Sequence, residues 1–160
     1  MTDLKPKPEE QWPAVSVAYD FVIPSYNWMA TRLEANVSRI QALMTFTATI
    51  TLGFPVLGQA INKTIMFHSA SFISAIGFFL VIMILGIVAR HMGNFELVNP
   101  TKLYNESLHL SEWEFKRDAI FHAGRSFSHN AVLSNRKARI AMIMSGCLLA
   151  EVLAFLTWIV

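Results

Sequence analysis

Two stretches of this chain lack charge for the width of a bilayer, parted by Lys63 alone, and a third, broken by one carboxylate, follows a polar segment of mixed charge. Between Arg39 and Lys63, IQALMTFTATITLGFPVLGQAIN carries no charged side chain, and neither does TIMFHSASFISAIGFFLVIMILGIVA between Lys63 and Arg90. After Arg139 the sequence runs IAMIMSGCLLAEVLAFLTWIV, interrupted by Glu151 alone. Each run exceeds about 20 residues, enough for a helix to cross a hydrocarbon layer of about 30 Å. The alternation TFTATITLGF has the period of a strand, but a lone strand leaves its backbone unpaired in lipid, and no other strands are available to close a barrel. The pattern predicts an all-α integral membrane protein, a helical hairpin turning at QAINKT plus a third, C-terminal transmembrane helix; the rival topology makes that third segment an interfacial or bundle helix and leaves two spans.

Amphipathic helices are expected to extend from these spans. In SYNWMATRLEANVSRIQALM, residues Tyr26, Met29, Leu33, Val37 and Ile40 share one helical face, while Arg32, Asn36 and Arg39 fall on another. Pro24 is expected to separate this helix from a shorter one, AVSVAYDFV, with Ser25 as its N-cap. A second helix begins at SEWE, where Ser111 and Glu114 have capping-box spacing. In it Trp113, Ile120 and Phe127 recur every seven residues, a face suited to packing on the Tyr26–Ile40 stripe, with Tyr26 and Leu33 in it, or on a partner protein. The expected division is a lead-in with a short helix over 1–24, an amphipathic helix over 25–39, and spans over 40–62, 64–89 and 140–160. Residues 90–139 form a loop, GNFELVNPTKLYNESLHL, and a helix that continues through NRKAR into the third span.

Composition agrees with a membrane setting. The chain is 54% hydrophobic and 15% charged, with mean hydropathy +0.43, whereas soluble domains carry about 25% charged residues. A net charge of +2 gives no sign of a nucleic-acid partner. Lys63 stands alone in the hairpin turn, and Arg32, Arg39, Arg90, Arg136, Lys137 and Arg139 lie on the other side of the spans. This distribution predicts a cytoplasmic N-terminus and central segment in a multi-pass protein of a bacterial inner membrane. The opening MTDLKPKPEEQWP has neither the apolar core of a secretory signal nor the acid-poor, Arg-rich character of a transit peptide. The single cysteine, Cys147, lies within an apolar run and cannot form an intrachain disulfide.

The search for chemistry finds no GxGxxG, P-loop, CxxC or HExxH. His122 and His129 share a predicted helix with Asp118, but a metal site draws ligands from several elements. The expectation is a protein with no catalysis, no cofactor and no metal. The polar residues inside the spans say more. Counting from the outer ends at about 1.5 Å per residue, Glu151, Thr51, Ser71 and Ser74 come to a similar depth, and His68 lies shallower. A carboxyl at that depth is costly unless it is paired, hydrated or neutral. Three roles are open to it: a polar knot between helices, a ring of carboxyls in an oligomeric pore, and a relay in a transporter. Gly53 and Pro55 in the first span mark an expected kink, a candidate hinge.

The lead-in NWMATRLEANVSRIQALM, the hairpin around Asn62-Lys63 and the downstream helix together resemble the small bacterial membrane effectors of the SLATT type, over about two thirds of the chain. The third segment with Glu151 departs from that plan. The resemblance implies oligomeric membrane disruption on a signal from a partner. The expected function is thus a homo-oligomeric membrane protein that forms or regulates a pore. The alternative is a non-conducting anchor that holds a cytoplasmic protein through its helices.

Overall fold

The computed structural model describes residues 12–61, 69–93, 96 and 109–159, and the described residues are almost wholly helical. Three helices follow in chain order: α1, Val15–Ile61; α2, Ala70–His91; and α3, Glu112–Ile159. All three are long and apolar enough to cross a membrane. They build two compact units, one from Met1–Arg32 with Phe95–Val132, the other from Leu33–Asn94 with Leu133–Val160.

Local chemistry sets the ends of the helices. Ser69 caps α2, its side chain accepting from the Phe72 amide at 3.3 Å. The span expected to begin at residue 64 is therefore helical from Ala70; the turn itself, with Lys63 and His68, lies outside the described residues. At its other end α2 stops at Gly93, whose φ of 79° is one that L side chains rarely adopt. At the start of α3 the Ser111 amide donates to Glu114 at 3.0 Å, and the Glu114 amide donates to the Ser111 hydroxyl at 3.3 Å. This is a capping box, and it satisfies two of the orphan donors of the first turn.

The expected break at Pro24 does not occur. Helix α1 runs unbroken through both Pro24 and Pro55. Each proline deprives one carbonyl of its donor, at about 3 kcal/mol in a helix interior. That penalty is local, whereas each additional turn of an already nucleated helix adds bonds cooperatively, and the flanking residues Tyr26, Met29 and Leu33 are buried in tertiary contact. Ser25 is accordingly no N-cap: its hydroxyl donates back to the Phe21 carbonyl at 2.8 Å, inside the helix.

A seven-residue repeat orders the packing. On α3 the inward positions alternate by three and four: Asn130, Ser134, Lys137, Ala141, Met144, Leu148, Glu151, Phe155, Trp158. On α1 the series is Tyr26, Met29, Leu33, Asn36, Ile40, Leu43, Thr47, Ile50, Phe54, and on α2 it is Phe72, Ala75, Phe79, Ile82, Gly86, Ala89. Spacing that averages 3.5 keeps one seam of each helix facing its neighbours, as in coiled coils. Within the second unit α1 and α3 run parallel and α2 runs against both, since Asn36 meets Ser134, Thr47 meets Glu151, and Gly86 lies against Met44. The Met44 side chain fills the space beside Gly86: a Cβ there would stand 2.7 Å from Met44 Cγ.

Candidate functional site

Two apolar layers enclose the polar heart of the second unit. Ile40, Ile82, Ala89, Ile140, Ala141 and Met144 form one cluster. Ala75, Phe155 and Trp158 form the other, with Phe155 stacked on Phe54 at 5.1 Å and Phe72 tilted against Trp158 at 5.0 Å. Between them, on the same seam of α3, stands Glu151, with 0% of its surface exposed.

Two threonines one turn apart on α1 receive this carboxyl. Thr47 donates its hydroxyl to Oε2 in a short hydrogen bond, and Thr51 donates to Oε1 at 2.6 Å. A spacing of four residues puts both hydroxyls on one helix face, so each carboxyl oxygen has its own donor. Thr47, like Glu151, is fully enclosed. Among the described residues no buried side-chain nitrogen or oxygen lacks a partner. The arrangement meets the requirement that a buried carboxyl be hydrogen-bonded.

The residues expected at the depth of Glu151 therefore part company. Thr51 joins it. Ser74 is exposed and returns its hydroxyl to the Ala70 carbonyl at 2.8 Å, and Ser71 is half-buried elsewhere on α2. His68 lies outside the described residues. Gly53 sits on α1 with open space where a Cβ would be, so nothing packs against it, and Pro55 is half-buried in continuous helix. Sequence reasoning did not single out Thr47, although the run TFTATIT holds it. Asn36, expected with Arg32 and Arg39 on the face away from the packing stripe, instead donates to the Ser134 hydroxyl at 3.0 Å and to the Ser134 carbonyl at 3.2 Å, a second polar layer.

In the first unit, Asn130 is fully buried and clasps the backbone of Glu96 at two points. It donates to the Glu96 carbonyl and accepts from the Glu96 amide, both at 3.1 Å, while the Tyr26 hydroxyl donates to that same carbonyl at 3.1 Å. Tyr26 and Leu33, expected on an interaction face, are buried within the chain. Trp113, Ile120 and Phe127 are half-buried. The Trp113 indole donates to the Trp12 carbonyl at 3.3 Å, and its ring carries the Arg117 guanidinium at 5.4 Å. A cavity of about 540 Å³ opens among Trp12, Val15, Ala18, Trp113, Arg117 and Ile120.

No known protein family, characterised protein or solved structure matches this chain. Its chemistry is therefore read from its own geometry. His122 is exposed and Asp118 pairs with Arg117 at 3.0 Å, not with His122, while His129 stands 3.9 Å from Glu96. No group of three potential metal ligands occurs among the described residues. Among the described residues, the acids with lowered titration lie at the start of α3. Hydrogen bonds from Ser111 hold Glu114 below the ordinary glutamate range, and the Lys116 ammonium, 2.6 Å from Glu112, lowers that carboxyl and is itself raised.

Proposed function

We propose that this protein is a membrane anchor of a bacterial inner membrane that acts by holding another protein on its cytoplasmic unit, without catalysis of its own. One observation carries the reading. In the first unit Phe21 is 73% and Trp28 59% exposed, with Trp12, Val17 and Phe121 also uncovered. Val17, Phe21, Pro24 and Trp28 follow one stripe of α1. Phe21 lies roughly 28 Å along the helix before Ile40, where the charge-free run begins, at about 1.5 Å per residue. Lipid does not cover a patch that far from the hydrocarbon, and contiguous apolar surface in water marks an interaction site. The lysines and arginines gathered at this end support its cytoplasmic placement.

The test is a photo-crosslinking residue placed at Phe21 and at Trp28 in cells. A discrete adduct with a second protein, lost when Val17 is changed to glutamate, is expected. Absence of any adduct at either position would sink the reading, and an adduct only with the chain itself would move it to self-assembly.

A second reading, a homo-oligomeric pore of the kind implied by the SLATT-type resemblance, is favoured by a different stripe. Ser38, Gln41, Thr45 and Thr49 lie on one exposed face of α1, polar in a helix that is otherwise apolar there. Polar helix faces inside a bilayer are driven toward other helices or toward water. Copies meeting on this face would line a path with hydroxyls. Glu151, enclosed by its own chain, belongs to the packing of each bundle. Dye release from liposomes abolished by Thr45→Leu with Thr49→Leu, and untouched by Glu151→Met, is the expected pattern for that reading.

A further inference from the structure

In the second unit a mostly covered lysine opens onto a small cavity with no carboxylate among its lining residues. Lys137 is 6% exposed, on the inward seam of α3. No ion pair or hydrogen bond to it is found among the described residues. It lines a cavity of about 130 Å³ together with Arg90 of α2 and Gln41 of α1, and no acidic residue takes part in the lining. The rest of the wall is apolar, including Ile40, Met44 and the half-exposed Ile87.

A charge wholly cut off from water and unpaired costs several kcal/mol; among the described residues no such nitrogen occurs, so the Lys137 ammonium reaches accessible space. Here two cations and an amide from three different helices face one space whose only missing component is negative charge. Arg90 ends one charge-free run, and Lys137 lies just ahead of the next, which begins after Arg139. The cavity therefore stands at headgroup depth if the helices are membrane spans, as the proposed function takes them to be. Its volume far exceeds the roughly 15 Å³ needed by a single water. It falls short of the roughly 300–1,000 Å³ that encloses a whole small molecule. A group that inserts only a phosphate and leaves its chains outside, along Met44 and Ile87, fits both limits.

We propose that this cavity binds the headgroup phosphate of an anionic phospholipid, with Lys137 and Arg90 as its counter-charges and Gln41 as an additional donor. Basic pockets between spans on the cytoplasmic side suit such headgroups, and the guanidinium of Arg90 suits a phosphate geometrically.

The test is native mass spectrometry of the full chain in detergent micelles, with phosphatidylglycerol and phosphatidylcholine of matched acyl chains as probes. Preferential retention of phosphatidylglycerol is expected. Lys137→Gln or Arg90→Gln should lower it about fivefold, one basic residue's worth of attraction to an anionic lipid surface, while Lys137→Arg keeps it. Because Arg90 is exposed, Arg90→Gln preserves the fold and decides the matter even where Lys137→Gln unfolds. Equal retention of the two lipids, or phosphatidylglycerol retention unmoved in folded Arg90→Gln, would overturn the proposal. So would binding of inorganic phosphate without any lipid preference, which would make the cavity a site for a soluble anion.

Discussion

Replacing Thr47 by valine keeps the side chain's shape and deletes one hydroxyl. The carboxyl it served, Glu151, is fully buried, so Oε2 is left without a donor and without water. A typical intramolecular hydrogen bond contributes about 0.5–1.5 kcal/mol net, and an orphaned buried acceptor costs about 1–3 kcal/mol. Interhelical bonds between membrane helices average lower, near 0.6 kcal/mol with a maximum of about 1.7. Thr47→Val should therefore destabilise by about 1–2 kcal/mol, and Thr51→Val by less, because Thr51 is half-buried. Glu151→Met removes the need for both donors at similar volume and should cost less than Glu151→Ala, which also opens a cavity. In the Glu151→Met background, Thr47→Val should cost almost nothing. The assay is a double-mutant cycle, with unfolding of micelle-embedded protein by dodecyl sulfate followed by far-UV circular dichroism. If the single losses add within about 0.3 kcal/mol, Thr47 and Glu151 are uncoupled and the polar knot is wrong.

Three further outcomes follow from other parts of the molecule. Gly86→Ala should destabilise by about 1 kcal/mol in the same assay, overpacking against Met44 outweighing the gain in helix propensity; a more stable Gly86→Ala variant would contradict the close approach, and Met44→Ala should relieve it. Asn130→Ala removes both bonds to the Glu96 backbone, so hydrogen exchange at the Glu96 amide should accelerate at least tenfold, the loss of about 1.4 kcal/mol of local protection. The first turn of α3 should loosen in acid. Glu112 and Glu114 titrate below their unfolded value, so their contribution is present above that value and is lost as pH falls through the lowered one; proton exchange of the Glu114 amide, normalised for its intrinsic rate, should report it, and Glu114→Gln should flatten the dependence.

How much of this was legible from the residues divides along a physical line. Length without charge is a one-dimensional property, and it located three helices able to cross a membrane. The capping box at Ser111 and Glu114 was legible for the same reason, being a local spacing rule. Rotation of a helix about its axis is different, because depth counting contains no information on it. Thr45, Thr47, Thr49 and Thr51 occupy similar depths, yet only Thr47 and Thr51 turn toward α3, while Thr45 and Thr49 face outward. Ser74 was chosen by depth and faces outward too. The inward seam of α3 was readable only in part, as Trp113, Ile120 and Phe127. Its continuation through Asn130, Ser134, Lys137 and Glu151 is polar, so hydrophobicity breaks off where the repeat continues. Pro24 misled for the opposite reason: a local rule about proline was overridden by the burial of its neighbours.

Those polar seam positions also explain how two long parallel helices find one register. An apolar seam with seven-residue spacing packs almost as well after a slip of one repeat, since leucine, isoleucine and methionine substitute for one another at modest cost. A slip of α3 by seven residues would set Glu151 against Phe54 and Gly58, or against Ile40 and Met44, with no hydroxyl in reach. It would equally take Ser134 from Asn36 and leave that amide facing Phe127 or Ala141. Each misregister thus strands a buried carboxyl, at about 1–3 kcal/mol, together with a half-buried amide that loses less. Replacing the knot by apolar residues would raise stability per contact while making these slipped states competitive. The buried carboxyl of the third helix thus favours this register over its slipped alternatives, and the same alignment brings Lys137, Arg90 and Gln41 around one cavity.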